Sequence, residues 1–233
     1  RIAVTCLRCL YLKHGVRRKK VRQDKYLPAR IGQDYALRCG QVLSEIQQAK
    51  AQGRKVFFAD EIVFSKLSMQ TKEWSARNTN LTVDQRQIYT GYKAVFAVMS
   101  EAKGIEFIEI FNGALNAEDM ISCLRYLSQL HGKDPSAIFL DQASIHKAKM
   151  VRPFYSLYDM SLVFNVGYSP MFNPIEAVFS KVKAYFNAQR MHHLVNKTPF
   201  DTKRTIKDAF ERVTQKHCAA CVKKSYHLLE TAS

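Results

Sequence analysis

Lys-Val-Phe-Phe-Ala-Asp-Glu-Ile, residues 55–62, is the stretch on which the fold turns. A short apolar run that closes on two acids is the pattern of a strand buried at the centre of a sheet, with carboxylates at its C-terminal end. Downstream, Gly91 to Met99 and Ile105 to Phe111 alternate and accumulate aliphatic and aromatic side chains, and Lys103-Gly104 between them predicts the turn of an antiparallel hairpin. Asn116 then caps a helix whose apolar stripe is Met120, Ile121, Leu124, Leu127 and Leu130, with Asp119 three positions after the cap. His131, Gly132 and Pro135 end that helix. Ala137 to Asp141 is again a short buried strand stopping on an acid. Lys147 to Leu157 reads as a helix broken or kinked at Pro153, and Ser161 to Asn165 as a fifth strand.

Upstream of the opening stretch, Tyr35, Leu37, Val42, Leu43 and Ile46 predict one amphipathic helix ending near Gly53. Residues 63–90, which hold the only Trp, Trp74, read as a long polar loop or extension. Residues 201–230 read as one or two terminal helices, with Ile206, Phe210, Val213, Leu228 and Leu229 facing inward. The expected organisation is a basic helical segment over 1–53, the tail end of a DNA-binding region plus a lead-in helix, followed by an α/β unit over 54–233 with C-terminal helices.

The 233 residues suffice for one substantial core. Thirty-six Lys and Arg against 20 Asp and Glu leave a net charge of +16, which favours a polyanionic partner and salt-dependent binding, with nucleic acid as the leading candidate. Arg17, Arg18, Lys19 and Lys20 concentrate that charge near the start, as a DNA-contacting or nuclear-import cluster or as the solvated face of a helix. No apolar run approaches the roughly 18 residues of a membrane span, and nothing resembles a signal peptide, so no membrane partner is expected. The chain starts at Arg1, which suggests part of something longer or a processed piece.

Tyr-Ser-Pro-Met-Phe-Asn-Pro-Ile-Glu, residues 168–176, spells out a helix start: Asn173 as cap, Pro174 at the first helical position, Glu176 in the first turn. The plain account of Glu176 is a capping box with Asn173 and a favourable place at the positive end of the helix dipole. Two strands, however, end in Asp60 and Asp141. Ligand sites of open sheets gather at the carboxyl ends of strands, which places all three acids near one edge. Three packed carboxylates repel one another unless divalent cations neutralise them, and hard cations such as Mg²⁺ take such oxygen ligands together with substrate phosphates. A pair of ions can activate the attacking oxygen and stabilise the leaving one in phosphoryl displacement.

Three motifs in order, Phe-Phe-Ala-Asp-Glu (57–61), Phe-Leu-Asp-Gln-Ala-Ser-Ile-His (139–146) and the 168–176 stretch, resemble those of the DDE transposases of the mariner superfamily. The 34 residues between Asp141 and Glu176 are one of that family's characteristic spacings. The resemblance covers roughly Lys55 to Phe186. It implies a ribonuclease-H-like mixed five-stranded sheet flanked by helices, with Asp60, Asp141 and Glu176 as catalytic metal ligands for two Mg²⁺ ions, Mn²⁺ substituting. It further implies hydrolysis of double-stranded DNA at transposon ends and transfer of the 3′-hydroxyl end to target DNA, by a homodimer assembled on DNA. The alternative is a DNA-binding protein of transposase origin with little or no cutting activity. The expected location is the nucleus if the source is eukaryotic, otherwise the cytoplasm on the chromosome. Many relatives carry Asn after the second acid where this chain has Gln142.

Further candidates follow from position. His146 lies five residues after Asp141 and reads as a substrate-positioning group or a plain loop hydrogen bond. Lys147, Lys149, Lys181 and Lys183 are candidates for phosphates, although Lys181 and Lys183 are two apart on one helix and so face differently. Glu61, adjacent to Asp60 on a strand, points to the opposite face. Cys6, Cys9, Cys218 and Cys221 form two Cys-x-x-Cys pairs, the second beside His217. Their apolar helical context favours buried thiols over a zinc site.

Overall fold

The structure, a computed structural model, describes residues 33–65, 91–132 and 134–233, together with 9–10 and 12–14. The chain divides into two compact units, Arg1–Ile31 and Gly32–Ser233. The basic cluster Arg17, Arg18, Lys19 and Lys20 lies outside the described residues, as do Cys6 and Trp74.

The second unit begins with helix α1 (Gln33–Ala51), followed by strands β1 (Lys55–Phe64), β2 (Lys93–Ser100) and β3 (Gly104–Phe111). Helix α2 (Ala117–Leu130), strand β4 (Ser136–Leu140), helix α3 (Arg152–Leu157) and strand β5 (Met160–Phe164) come next. Helices α4 (Pro174–Val195), α5 (Thr202–Glu211) and α6 (Gln215–Ala232) complete it. The five strands form one mixed sheet in the order β3-β2-β1-β4-β5. β1, β2 and β3 run antiparallel, while β4 and β5 run parallel to β1. This is the ribonuclease-H-like sheet expected from the motifs. No described helix is long and apolar enough to cross a membrane.

The sheet is covered on both faces, which is why β2 and β4 read as nearly continuous apolar runs rather than alternating ones. On one face, Phe58, Phe139 and Val163 pack with Cys39, Val42 and Ile46 of α1 and with residues of α4, α5 and α6. On the other, Phe57, Ala59, Ile138 and Leu140 meet the stripe of α2 and Val151 and Tyr155 near α3. Fully burying one such aromatic or aliphatic side chain contributes about 1.5–3 kcal/mol, so the two layers hold the sheet rigid between them. Helix α1, expected to go with the basic segment, therefore supplies part of the core of the α/β unit.

The local signals produced the elements they predict, with instructive exceptions. At α2 the capping box forms in full: Asp119 N–H donates to Asn116 Oδ1 at 2.9 Å and Asn116 N–H to Asp119 Oδ2 at 3.2 Å. Gly104 sits at φ +85°, and a Cβ there would come within 3.0 Å of Gln215 Cα, so the hairpin turn needs a glycine both for its backbone and for the approach of α6. The helix expected over 147–157 is shorter. A 3₁₀ turn covers Ser144–Lys147, and α3 starts only at Arg152 with Pro153 in its first turn. Proline there lacks an N–H that the first turn would leave unused anyway, so Pro153 begins a helix instead of breaking one. Nor does β1 end on its acids, since it continues past Asp60 to Phe64 against β2.

Candidate active site

Strand register brings the first two acids together. β1 and β4 are parallel, with Phe58 opposite Phe139, and β4 stops at Leu140 while β1 continues. Two residues beyond that pair, Asp60 on β1 and Asp141 just past the end of β4 come to the same edge of the sheet. Side chains alternate along a strand, so both acids share the face of Phe58 and Phe139, whereas Glu61 goes to the face of Phe57 and Ala59. Helix α4 packs on the same face as the two acids through Ile175, Val178 and Phe179, and its first turn carries Glu176 to the wall of the cavity they line, outside the tighter cluster that Asp60 and Asp141 form with His146. Asp60, Asp141 and Glu176 line one cavity of about 440 Å³, with Gln142, Tyr168 and Asn173 in its wall.

Each carboxylate is held by donors. Asp60 Oδ1 accepts from the N–H of Glu61 at 2.7 Å, and Oδ2 from Asn173 Nδ2 at 3.0 Å. Asp141 Oδ1 accepts from the N–H of Ala143 at 3.0 Å and from His146 Nε2 at 3.2 Å. Ligand atoms of Asp60, Asp141 and His146 lie within 4.8 Å of one another, and among the described residues this is the group able to hold a metal ion. His146 is 1% exposed with Nε2 committed to Asp141, so it orients the second acid; that burial takes it away from any duplex phosphate.

The electrostatics separate the acids. Burial first, and then the charge of Asp141, pushes Asp60 up to about 8, with Glu176 and Glu61 adding to the effect. Burial also raises Asp141, but the hydrogen bonds from His146 and Ala143 and the charge of Lys147 outweigh it and hold it below the ordinary carboxylate range. Glu176 is raised by burial, opposed by the Lys183 charge. Glu61 is raised by burial too, with His146 opposing. A cleft that keeps one carboxylate protonated beside an ionised neighbour is short of positive charge, which is the donor set a hard divalent cation fits.

Other anticipated residues fall in several places. Lys147 donates to Gln142 Oε1 at 3.0 Å and lies 4.9 Å from the Phe164 ring centre, so it braces the loop after Asp141. Lys149 is exposed. On α4 it is Lys183 whose charge reaches Glu176, while that of Lys181 acts on His217, Cys218 and Cys221. Gln142 uses its extra methylene to span to the end of β5, donating from Nε2 to Asn165 O at 2.9 Å. Cys218 and Cys221 lie in α6 as buried free thiols, the first pushed by burial up to about 11.

Two residues of the site escaped sequence reasoning. Asn173 stands at the N-cap of α4 yet makes no capping bond with its side chain, so the expected capping box with Glu176 does not form. Its amide goes to Asp60 instead. Asn165, 4% exposed, donates to Ser169 O at 2.8 Å and fixes the loop that walls the cavity. An Asn before a helix or after a strand reads locally as a cap or turn residue, and nothing nearby in sequence marks either for the site.

Comparison with known proteins agrees with this geometry. The model of the DDE superfamily endonuclease family matches residues 55–197. Among solved structures, the Mos1 mariner paired end complex with Mn superposes with a TM-score of 0.64 at 15% identity, covering 99% of this chain and 70% of that one. The Mos1 strand transfer complex gives 0.63 at 15% identity, with 98% and 68% covered. The catalytic domain of Mos1 mariner transposase gives 0.57 at 14% identity, with 93% and 96% covered. A search of curated protein sequences returns no match. At these identities the solved structures establish the shared ribonuclease-H-like fold. The family match spans more than half of the chain and includes all three acids, and the chain belongs to the DDE endonuclease superfamily.

Proposed function

We propose that this chain is a metal-dependent DNA transposase catalytic unit that hydrolyses DNA at transposon ends and transfers the freed 3′-hydroxyl end to target DNA. The observation that carries the reading is the meeting of Asp60 on β1 and Asp141 just past the parallel strand β4, with Glu176 from the first turn of α4 in the same cavity. Asp60, Asp141 and Glu176 would hold two Mg²⁺ ions, with Mn²⁺ able to replace them. Bound there, the ions supply neutralisation of the phosphoryl charge and a lowered pKa for the attacking water or hydroxyl.

The chain's own residues do the rest. His146 and the Ala143 N–H hold Asp141 in its ionised form and in a fixed plane. Lys183 stands beside Glu176 and offers a positive charge to the DNA strand entering the cavity. Arg17, Arg18, Lys19, Lys20, Lys147, Lys149 and Lys181 contact phosphates of the duplex, drawing on the +16 net charge. No covalent protein–DNA intermediate is involved. The paired end complexes of Mos1 support two copies of the chain acting together on double-stranded DNA. The site of action is the chromosome, in the nucleus of a eukaryote or the cytoplasm of a prokaryote.

The test is a strand-transfer assay with the source element's own ends, titrating Mg²⁺ and Mn²⁺. Cut ends joined to target DNA are expected with wild type and not with Asp141→Asn. A protein that binds these ends but leaves them uncut in both metals is a DNA-binding derivative of a transposase, and that result refutes the proposal. Equal cutting by Asp141→Asn refutes the assignment of the site.

A further inference from the structure

The buried amide of Asn173 is the group in the cleft that neither the cap nor the carboxylate set explains. Asn at an N-cap ordinarily turns its side chain back to accept an N–H of the first turn. Here the backbone has the flanking conformation, φ −91° and ψ 107°, but no such bond forms. The first turn is served by other means. Pro174 has no N–H to satisfy, and Glu176 N–H donates to the backbone carbonyl of Asn173 at 3.1 Å.

The freed side chain crosses to the sheet. Asn173, 2% exposed, donates from Nδ2 to Ala59 O at 3.3 Å and to Asp60 Oδ2 at 3.0 Å. Ala59 O is a backbone carbonyl and can only accept, so the amide nitrogen is the end that points there. Asn173 Oδ1 is left buried without a hydrogen-bond partner among the described residues. A residue that forgoes its cap and leaves an oxygen unpaired to bridge a strand carbonyl and an acid is shaped by the acid's needs rather than by the helix's. With the Glu61 N–H on Oδ1, the amide on Oδ2 gives each oxygen of Asp60 one fixed donor and so sets the plane of the carboxylate.

We propose that Asn173 is a positioning residue for Asp60, which locks the strand carrying Asp60 to the start of the helix carrying Glu176 so that the two carboxylates present a divalent cation with a constant geometry. This rests on the metal-binding reading of the cleft. Groups that orient metal ligands typically change metal affinity by 10- to 100-fold when removed. Mg²⁺ demands near-ideal octahedral geometry, so loosening one carboxylate should weaken Mg²⁺ binding more than Mn²⁺ binding.

The experiment measures Mn²⁺ and Mg²⁺ binding to the whole chain by calorimetry, with thermal unfolding in parallel, for wild type, Asn173→Ser and Asn173→Gly. Serine restores a good cap and glycine is tolerated there, but neither reaches Ala59 O and Asp60 together. The expected result is Mn²⁺ binding weakened about 10- to 100-fold in both variants, a larger loss for Mg²⁺, and a metal-free melting temperature for Asn173→Ser equal to or above that of wild type. Variants that bind both ions within about twofold of wild type overturn the inference, as does a loss of affinity that merely follows a loss of folding in both. Wild type that binds neither ion overturns the metal reading itself, and this inference with it.

Discussion

Binding of a divalent ion to this cleft should expel a proton, in an amount set by pH. Asp60 is the source. Burial, then the charge of Asp141, then those of Glu176 and Glu61, push its carboxyl up to about 8, against the Glu61 N–H bond that lowers it. The neighbouring Asp141 is held ionised by His146, Ala143 and Lys147, and Lys183 sits by Glu176. At pH 7 Asp60 therefore carries most of a proton in the metal-free chain and loses it as pH rises through about 8. A cation takes only the carboxylate, so that proton is released on binding, and apparent affinity climbs with pH until Asp60 is ionised, then levels off.

The same shift has a stability consequence with a definite sign. An unfolded Asp60 gives up its proton near its ordinary value of 3.8, whereas the folded one keeps it to about 8. The folded state binds more protons between those values, so metal-free stability falls as pH rises from about 4 to about 8, by at most about 6 kcal/mol. Metal binding offsets that loss, and the stabilisation it gives grows with pH. Calorimetry with Mn²⁺ in buffers of different ionisation heat, at pH 7, 8 and 9, counts the protons, and Asp60→Asn should release almost none. Proton release near zero at pH 7, or affinity unchanged between pH 6 and 9, would refute the placement of Asp60 in a shared, charge-poor cleft.

Asp141→Asn should abolish metal-dependent cutting by at least about a hundredfold, with a circular-dichroism spectrum like that of wild type. Phe139→Ala empties a fully buried position on β4; urea unfolding should show a loss of about 3–5 kcal/mol. Asn116→Ala removes the capping box of α2 and should cost about 1 kcal/mol in the same assay. Gln142→Ala breaks the bonds to Asn165 O and Lys147 Nζ and should lower stability by about 1 kcal/mol. Because the two hydrogen bonds of the Gln142 side chain go to Asn165 O and Lys147 Nζ rather than to the three acids, Mn²⁺ affinity should stay within about twofold, a result calorimetry checks directly.

Much of this molecule was legible from local patterns. The apolar run before Asp60, the hairpin around Gly104 and the capped stripe of α2 each depend on residues a few positions apart, where backbone preference and side-chain period act directly. The motif order likewise located Asp60, Asp141 and Glu176 on three separate elements. What local patterns misread were groups whose partner is distant in the chain. Asn173 has every local mark of a cap, yet its amide bonds to a residue 113 positions away. His146, five residues past Asp141, was legible as a loop hydrogen-bonding group, and what the fold adds is the burial that commits it to that acid. Lys183 follows Glu176 by seven residues on α4, so the helical period already sets it on that acid's face, whereas the facing of Lys181 toward the thiols of α6 is decided by how the two helices pack.

Periodicity thus marked the strands and helices and singled out the three acids, and the resemblance of the motifs to a known family supplied the ribonuclease-H-like fold. The register Phe58 to Phe139, the shortness of β4 and the docking of α4 decided that those acids share one cavity, and with it their unequal charge states. The reason is physical. Secondary structure is governed by interactions within a few residues, whereas desolvation and carboxylate repulsion depend on distances that exist only once the strands have paired and the helix has packed across them.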